Sequence, residues 1–274
     1  MTLTIDRQQL ADIQAQPDTR GITLDRVGIT GLDYPILVRQ QAGGCQQVTA
    51  RFDLTVGLHS RQRGAHLSSL VEALHEYREQ LLGLDDVVRF TQEIRQRQNQ
   101  RSVPLEKSDV RIQFKYFVEK AAPVTGMSAL LAYDCGYRVQ IDHSSAKTTI
   151  VKAPVSTLCP CSLEISDIGA HNQRALVRVQ LRQDLDDPRT VWFEDLIRIA
   201  DSAASAPVYS LLKRADEKVV TEAMFGAPRF AEDVVRDIAL QLHHQIDGVR
   251  YTVRCESFES IHAHNAIAEV SGVC

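Results

Sequence analysis

The sequence predicts an α+β protein in which antiparallel sheets carry their helices on one face. Two observations support this class. First, several segments alternate apolar and polar residues with a period of two, which is typical of half-buried strands. Second, both halves of the chain follow the order strand, strand, helix, helix, strand, strand, without a residue-level repeat. Strands grouped apart from helices favour antiparallel sheets.

The first predicted module spans residues 26–143 and follows a polar N-terminal arm over residues 1–25. Its clearest strand is 47–58, where every second residue from Val48 to Leu58 is apolar. Helical spacing of apolar residues then replaces this alternation, before strand character returns. The predicted elements are strands at 34–40 and 47–58, helices beginning near 65 and 87, and strands at 109–120 and 129–142.

The second predicted module spans residues 144–274 and repeats this order. Its longest helix places Val234, Val235 and Ile238 on one side, at helical spacing. The predicted elements are strands at 146–156 and 174–183, helices at 193–202 and 231–245, and strands at 248–258 and 266–272. A four-stranded antiparallel sheet has two open edges that can pair with another copy, so we expect a homo-oligomer.

Composition excludes several classes of protein. The 274 residues are 44% hydrophobic and 24% charged, as in ordinary globular chains, and the net charge of −4 argues against a nucleic-acid partner. We expect a cytoplasmic protein without a membrane partner, because a signal pattern and long apolar runs are both absent. The six cysteines are too scattered for a disulfide framework. The P-loop and Rossmann motifs of nucleotide-binding proteins are also absent.

The stretch TLCPCSLEISDIGAH contains Cys159, Pro160, Cys161 and His171. A disulfide across a single proline would close a small, strained ring, which disfavours a redox pair. The same tightness makes it awkward for both sulfurs to bind one tetrahedral ion, so one thiol on a metal with the other beside it is favoured. Two buried thiols behind a turn, with a solvated histidine, remain the structural alternative.

A second concentration of reactive side chains follows in CESFESIHAH, which contains Glu259, His262 and His264. On extended backbone the two histidines face the same way. This density of imidazole and carboxylate is typical of a catalytic zinc-type site. Two further carboxylates could belong to the same site, but each also has a purely structural interpretation. Glu217 fits a charged helix start, and Glu232 fits the first turn of a helix.

The motifs STLCPCSLEISDIGAHNQR and ESFESIHAH together resemble the GTP cyclohydrolase I family of class IB. The resemblance extends over nearly the whole chain, through VYSLLKRADEKVVTEAMF, PRFAEDVVRDIA and RFDLTVGL. It implies two tandem tunnelling-fold (T-fold) modules in a homotetramer. It also implies hydrolysis of GTP to 7,8-dihydroneopterin triphosphate and formate, the first step of folate biosynthesis, with a bound divalent metal, zinc or manganese, and iron as a further candidate.

The resemblance also implies roles for individual residues. The implied metal ligands are Cys159, His171, Glu217 and Glu259; the implied catalytic groups are Cys159, Cys161, His262 and His264; Glu232 would hold the guanine or pterin edge. A carboxylate suits that task because it accepts two parallel N–H bonds. Lys213, Arg214 and Arg174 are candidates for the triphosphate from charge and position only.

Two alternatives accompany this hypothesis. One is the archaeal branch of the same family, which gives a cyclic phosphate product. The other is a non-catalytic, metal-stabilised T-fold binding protein. The first module also departs from the family pattern, because AHLSSL stands at 65–70 where the family often has Thr-His-Met-Ser-Arg. We therefore assign no role to the first module and expect the second to carry most of the active site.

Overall fold

The computed structural model describes residues 11–77, 81–100 and 107–274. The strands are β1 (Leu24–Arg39), β2 (Cys45–Leu58), β3 (Leu81–Leu82), β4 (Ser108–Ala121), β5 (Ser128–Ile141), β6 (Ala146–Leu158), β7 (Asn172–Gln183), β8 (Ala206–Pro207), β9 (Arg250–Ser257) and β10 (Ala266–Val273). The helices are α1 (Leu67–Tyr77), α2 (Leu84–Asn99), α3 (Pro160–Ile165), α4 (Phe193–Ala203), α5 (Arg214–Gly226) and α6 (Ala231–Gln245).

The strands form a single sheet, which confirms the predicted α+β class. Its order is β10-β9-β7-β6-β5-β4-β2-β1-β3, with β8 added to β6. The long strands pair antiparallel, and among the described strands only the short β1–β3 contact is parallel. β5 pairs directly with β6, with Gly136 opposite Ile150, so the sheet is continuous between the two halves. The division into modules at 143/144 falls in the turn between these strands and stays a prediction.

Besides the two-residue strands β3 and β8, which were not predicted, three elements differ clearly from the sequence prediction. β1 begins at Leu24 rather than at residue 34, because register shifts near Val27 and Leu32 interrupt its alternation. α5 has one buried residue, Asp216, and so lacks the apolar stripe by which helices are recognised. α3 has only six residues, and none of them is buried. Each of these elements lacks the periodic burial on which the prediction depends.

The helices pack on one face of the sheet, and the core continues across both halves. Phe193 begins α4 in the second half and is 2% exposed. Its ring lies 5.7 Å from that of Phe114, 5.2 Å from Tyr116 and 4.9 Å from Tyr137, all on β4 and β5. Aromatic pairs at these separations add to the free energy gained by burial. A second-half helix therefore stabilises first-half strands.

The described part of the predicted arm is attached to the body of the protein. Asp18 N donates to Arg61 O at 3.0 Å, and Arg63 N donates to Gln16 O at 3.1 Å. Residues 1–10 of the arm lie outside the described residues. Among the described residues, none of the helices has the length and apolarity needed to cross a membrane.

We predict that Phe193→Ala lowers the free energy of unfolding by about 3–5 kcal/mol, because it leaves a cavity among three other aromatic rings. Urea unfolding followed by circular dichroism measures the change. Phe117→Ala is the control, since Phe117 is 39% exposed on β4, and its cost should stay below about 1 kcal/mol. Equal losses for both variants would contradict a shared core around Phe193.

Candidate active site

The candidate site lies where β6 ends and β7 begins. Leu158, the last residue of β6, is paired with Asn172, the first residue of β7. Cys159 follows as the N-cap of α3, and its Sγ accepts a hydrogen bond from Ser162 N at 3.4 Å. Pro160 occupies the first turn of this helix, where its missing N–H costs nothing. The proline therefore starts a short helix that holds the Cys159 sulfur beside the strand end.

His171 is fixed by three contacts. Its carbonyl oxygen accepts from Cys159 N at 3.1 Å, and its N–H donates to Ser162 Oγ at 3.2 Å. Its Nδ1 lies 2.9 Å from Gln173 Oε1. Gly169 has a φ of +72°, a conformation that favours glycine and turns the chain back toward β7. Cys159 and His171 thus lie side by side at the two ends of one loop, and backbone contacts hold them there.

The loop between β9 and β10 brings the second group of side chains to the same place. Phe258 N donates to Arg174 O at 2.9 Å, which fastens the loop to β7. Glu259 Oε2 then lies 3.9 Å from His171 Nδ1, and these side chains are 15% and 12% exposed. The ring of His262 lies edge-on to that of His171, with centroids 6.5 Å apart.

His262 and His264 lie on a bend rather than on the extended backbone expected from their spacing. The backbone bends here because His262 N donates to Glu259 O at 3.4 Å, which folds the loop back. The two rings nevertheless face the same way: they are stacked, with centroids 5.2 Å apart and planes 17° apart. Both histidines are exposed, as is Cys161. A solvent-accessible imidazole pair therefore borders the partly buried His171 and Glu259.

Glu232 lies in the first turn of α6, as its sequence context predicts. Arg229 N donates to Leu158 O at 3.0 Å, so the start of α6 is tied to the end of β6. Burial, together with the negative charges of Glu232, Glu256 and Glu259, raises the pKa of the Cys255 thiol to about 12. The negative charges of Glu232 and Glu259 therefore both affect the Cys255 thiol. Together with the contact between Arg229 and Leu158, this places Glu232 at the same end of the sheet as Glu259.

Glu217, Lys213 and Arg214 lie at the N-terminal end of α5 and are exposed. Met224, near the other end of α5, contacts Asn172 at 3.9 Å from sulfur to amide nitrogen. Helical rise puts Glu217 on the order of 10 Å along the helix from that contact. Within the described residues, no hydrogen bond or ion pair joins the Glu217 side chain to the cysteine and histidine loops.

Asp216 fixes the start of α5 and so the position of Glu217. Its carboxylate accepts from Val124 N at 2.8 Å, Thr125 N at 2.9 Å and Lys213 N at 2.9 Å. Burial opposes ionisation of Asp216, yet the N–H groups of Thr125, Lys213 and Val124 lower its pKa to about 2. Sequence reasoning missed this anchor, although an aspartate three residues after a helix start is its signal.

Gln173 is a second functional residue that sequence reasoning missed. Its Nε2 donates to Thr157 Oγ1 at 3.1 Å, while its Oε1 faces His171 Nδ1. A hydrogen bond at one ring nitrogen of a histidine sets which nitrogen is left for a ligand. With Oε1 as acceptor, Nδ1 carries the hydrogen and Nε2 is left free. The only sequence signal was its position two residues from His171.

The residues fit a divalent metal by their chemistry. A thiol, an imidazole and a carboxylate, from Cys159, His171 and Glu259, are the donor types that zinc binds in proteins. The described residues of one chain do not close a cage, because no group of three or more histidine, cysteine, aspartate or glutamate side chains among them is placed to hold an ion. A backbone contact sets Cys159 beside His171, and Glu259 approaches the His171 ring, whereas no contact among the described residues joins Glu217 to them.

Comparison with known proteins gives the family. The model of the family described as "Type I GTP cyclohydrolase folE2" matches residues 10–268. This protein belongs to that family. The prediction made from the cysteine and histidine motifs is thereby confirmed. The roles that the resemblance assigns to individual residues stay predictions.

Several relatives named GTP cyclohydrolase FolE2 match nearly end to end. The protein from Pseudothermotoga lettingae is 43% identical over 262 residues, covering 94% of this chain and 97% of the relative. That from Fervidobacterium nodosum is 41% identical over 263 residues, covering 94% and 96%. Among solved structures, uricase from Arthrobacter globiformis aligns with a TM-score of 0.49 and 7% identity, covering 91% of this chain and 93% of that one.

We predict that Asp216→Asn lowers the melting temperature by a few degrees at neutral pH, because an amide cannot accept at both oxygens from these N–H groups. The pKa of Asp216 is lowered to about 2, so its stabilisation is complete above the unfolded value near 3.8 and is lost as pH falls through 2. The difference between wild type and variant should therefore shrink between pH 4 and pH 2.

Asp186→Asn is the control for this prediction, since Asp186 is exposed and no hydrogen bond to its side chain is found in the described part of the chain. Thermal melts of the three proteins at pH 7, 4, 3 and 2 measure the effect. A difference that stays constant down to pH 2 would exclude the ionised carboxylate as its source.

Proposed function

We propose that this protein hydrolyses GTP to 7,8-dihydroneopterin triphosphate and formate, the first step of folate biosynthesis. Membership of the GTP cyclohydrolase family supports GTP as the substrate. The observation that carries the proposal is that His171 lies beside Cys159 through a backbone contact and approaches Glu259 through its ring, next to a stacked pair of exposed imidazoles. Opening the five-membered ring of guanine needs both an activated nucleophile and several proton transfers, and this group of side chains is suited to both.

We propose a divalent metal, zinc or manganese with iron as a further candidate, held by Cys159, His171 and Glu259, with Glu217 as the fourth ligand. A bound ion of this kind supplies Lewis acidity at the guanine ring. Gln173 would hold His171 in the tautomer that presents Nε2, and the Ser162 N–H would steady the Cys159 sulfur. These outer contacts support the assignment because they orient the sulfur of Cys159 and the ring of His171.

His262 and His264 are the proposed acid and base groups. An imidazole titrates near neutral pH, so it can both accept and return a proton during one turnover. The stacked arrangement leaves both rings exposed to solvent, where protons can be exchanged. Glu232 is the proposed anchor for the guanine edge, because its carboxylate can accept from the ring N–H and the exocyclic amine together.

Lys213, Arg214 and Arg174 are the proposed contacts of the triphosphate. Lys213 caps α5 and Arg214 begins it, so both cations add to the positive end of the helix dipole. Free backbone N–H groups at such an end favour phosphate. Arg174 is exposed on β7, three residues beyond His171, and its carbonyl oxygen accepts from Phe258 N, so it lies close to the loop that carries Glu259.

The proposed assembly is a homotetramer working in the cytoplasm. β10 is an edge strand of the described sheet, and its side chains Ile267 and Val273 are 54% and 57% exposed. An exposed strand edge with apolar side chains favours pairing with another copy. Sedimentation velocity tests the assembly, with an expected mass four times that of the 30.6 kDa chain. A monomer at micromolar concentration would contradict it.

We predict that Cys159→Ala loses bound metal and reduces turnover of GTP by more than the roughly 10–100-fold that loss of an outer contact costs. The assay follows the fluorescent pterin formed after oxidation, with zinc, manganese or iron added, beside metal analysis of the purified protein. Cys45→Ala is the control, since Cys45 is an exposed thiol at the start of β2 and should retain full activity.

Wild-type protein that forms no pterin with any of the three metals would overturn the proposed reaction. A folded Cys159→Ala variant with full turnover would overturn the ligand assignment alone. Phosphate analysis of the product separates a linear triphosphate from the cyclic phosphate of the archaeal branch. Stoichiometric metal without turnover would favour a non-catalytic binding protein.

We predict that His262→Asn lowers kcat by about 10²–10⁴-fold while leaving bound metal in place, because it removes a proton-transfer group and no proposed ligand. Its pH–rate profile should also lose one limb. His143→Asn is the control, since His143 is exposed in the turn between β5 and β6 and should leave kcat unchanged. Loss of metal from the His262 variant would instead make that imidazole a ligand.

A further inference from the structure

Arginines line up across the face of the sheet that faces away from the helices. Arg111 of β4 is paired with Arg138 of β5, which is paired with Thr148 of β6. Thr148 is paired with Arg182 of β7, and Arg182 with Arg250 of β9. The neighbours of these arginines along the strands are buried and, except for Gln183, belong to the apolar core, so the register that builds the core also aligns these cations.

This face is concave. It encloses a volume of about 540 Å³ that is lined by the arginines of the row and by Arg178, also on β7. Among the described residues that line it, five are arginines and none is acidic. Volumes of about 300–1,000 Å³ are typical of sites for small molecules. The cavity is therefore of a size to take a small, strongly anionic ligand.

Two of the five arginines have carboxylate partners at the rim. Arg138 Nη2 lies 2.7 Å from Asp109 Oδ2, and Arg250 Nη2 lies 3.1 Å from Asp184 Oδ1. Asp184 is 71% exposed, and exposed pairs of this kind hold their arginines weakly. The rim thus compensates part of the positive charge and leaves the centre of the cavity without a carboxylate.

The other three arginines have no carboxylate within ion-pair distance in the described part of the chain: Arg111, Arg178 and Arg182. Arg182 donates through Nη2 to Ser144 O at 2.7 Å, while its Nε is buried and finds no acceptor among the described residues. A buried N–H without an acceptor costs free energy that a ligand can recover.

The charge at Arg178 is likewise uncompensated. Burial lowers the pKa of its guanidinium, and the positive charges of Arg111 and Arg254 lower it further, with only Glu269 acting in the other direction. The amide of Gln180 is the neutral group beside it, and its oxygen, turned toward Arg178, would accept from Nη2 at 2.6 Å. Like charges gathered in this way destabilise the free protein and favour an anion.

We propose that this concavity binds a small polyphosphate, an anion with a chain of two or three phosphate groups. Guanidinium groups form paired hydrogen bonds with phosphate oxygens, in a planar geometry that a single ammonium does not offer. Strands lie about 4.8 Å apart, so Arg138 and Arg182, on either side of Thr148, are separated by about 10 Å at their backbones. A short phosphate chain fits between side chains set at that spacing.

The polyphosphate site is distinct from the candidate active site. His171 immediately precedes β7, whereas Arg182 lies at the far end of that strand. At about 3.3 Å per residue along a strand, the two positions are on the order of 30 Å apart. One GTP molecule cannot span both, so occupancy of the arginine cavity would be a second binding event.

Isothermal titration calorimetry with inorganic tripolyphosphate tests the proposal on the full chain at low ionic strength. The double variant Arg178→Gln, Arg182→Gln should weaken binding about 100-fold or more, since each charged hydrogen-bonding contact is worth about tenfold or more. Arg236→Gln is the control, because it removes the same charge from the 72%-exposed side chain on α6 and should change affinity less than twofold. Orthophosphate should bind more weakly than tripolyphosphate.

The double variant Lys213→Gln, Arg214→Gln separates this site from the proposed triphosphate contacts of the candidate active site, since it should leave tripolyphosphate binding to the cavity unchanged. Arg111→Gln provides a second, single-site variant should the double variant fail to fold, and about tenfold weaker binding is expected. Absence of binding to the wild type, equal affinity in the folded variants of the cavity arginines, or loss of binding in the Lys213→Gln, Arg214→Gln variant would each overturn the proposal. Binding of single-stranded RNA without tripolyphosphate binding would also overturn it.

Discussion

The antiparallel ladder of β6, β7 and β9 is the constraint on which the candidate site depends. It sets Leu158 opposite Asn172, and Ala175 opposite Ser257, so the loops that follow or precede these residues meet at one end of the sheet. The register cannot slip by one residue, because the apolar side chains that face α4 and α6 would then face solvent. Burial of the core thereby places two loops, eighty-odd residues apart in sequence, within contact of each other.

The same ladder explains the two faces of the sheet. Residues with buried side chains, such as Val177, Val179 and Leu181, alternate with Arg178 and Arg182 along β7. Because side chains alternate with a period of two, a strand that directs its apolar side chains into the core must direct the arginines between them to the opposite face. The core and the arginine cavity are therefore two results of one register, although only the core stabilises the fold.

Periodic burial decides how much the sequence could predict. Long strands such as β4 and β5, and the amphipathic α6, were predicted within a few residues because one face of each is buried. A charged helix start was recognised around Glu217, but α5 was not predicted as an element because its only buried side chain is a capping carboxylate, Asp216. At the candidate site, the resemblance of the motifs identified the candidate metal ligands. The bend at His262 could not be predicted, because it depends on a backbone contact and not on a particular residue type. Gln173 was missed because an amide beside a histidine has no sequence signature.

Charge distribution links the candidate site with the arginine cavity. The chain carries a net charge of −4, yet among the described residues Lys213 and Arg214 stand together at the start of α5 and five arginines line the open face of the sheet. A concave, partly desolvated surface strengthens the field of such cations, while the surrounding negative charge repels anions elsewhere. A polyanion would therefore be drawn to two separate places on this chain. One carboxylate reduces the repulsion between cations at each of these places. Asp216 accepts from Lys213 N at the start of α5, and Asp109 pairs with Arg138 at the rim of the cavity.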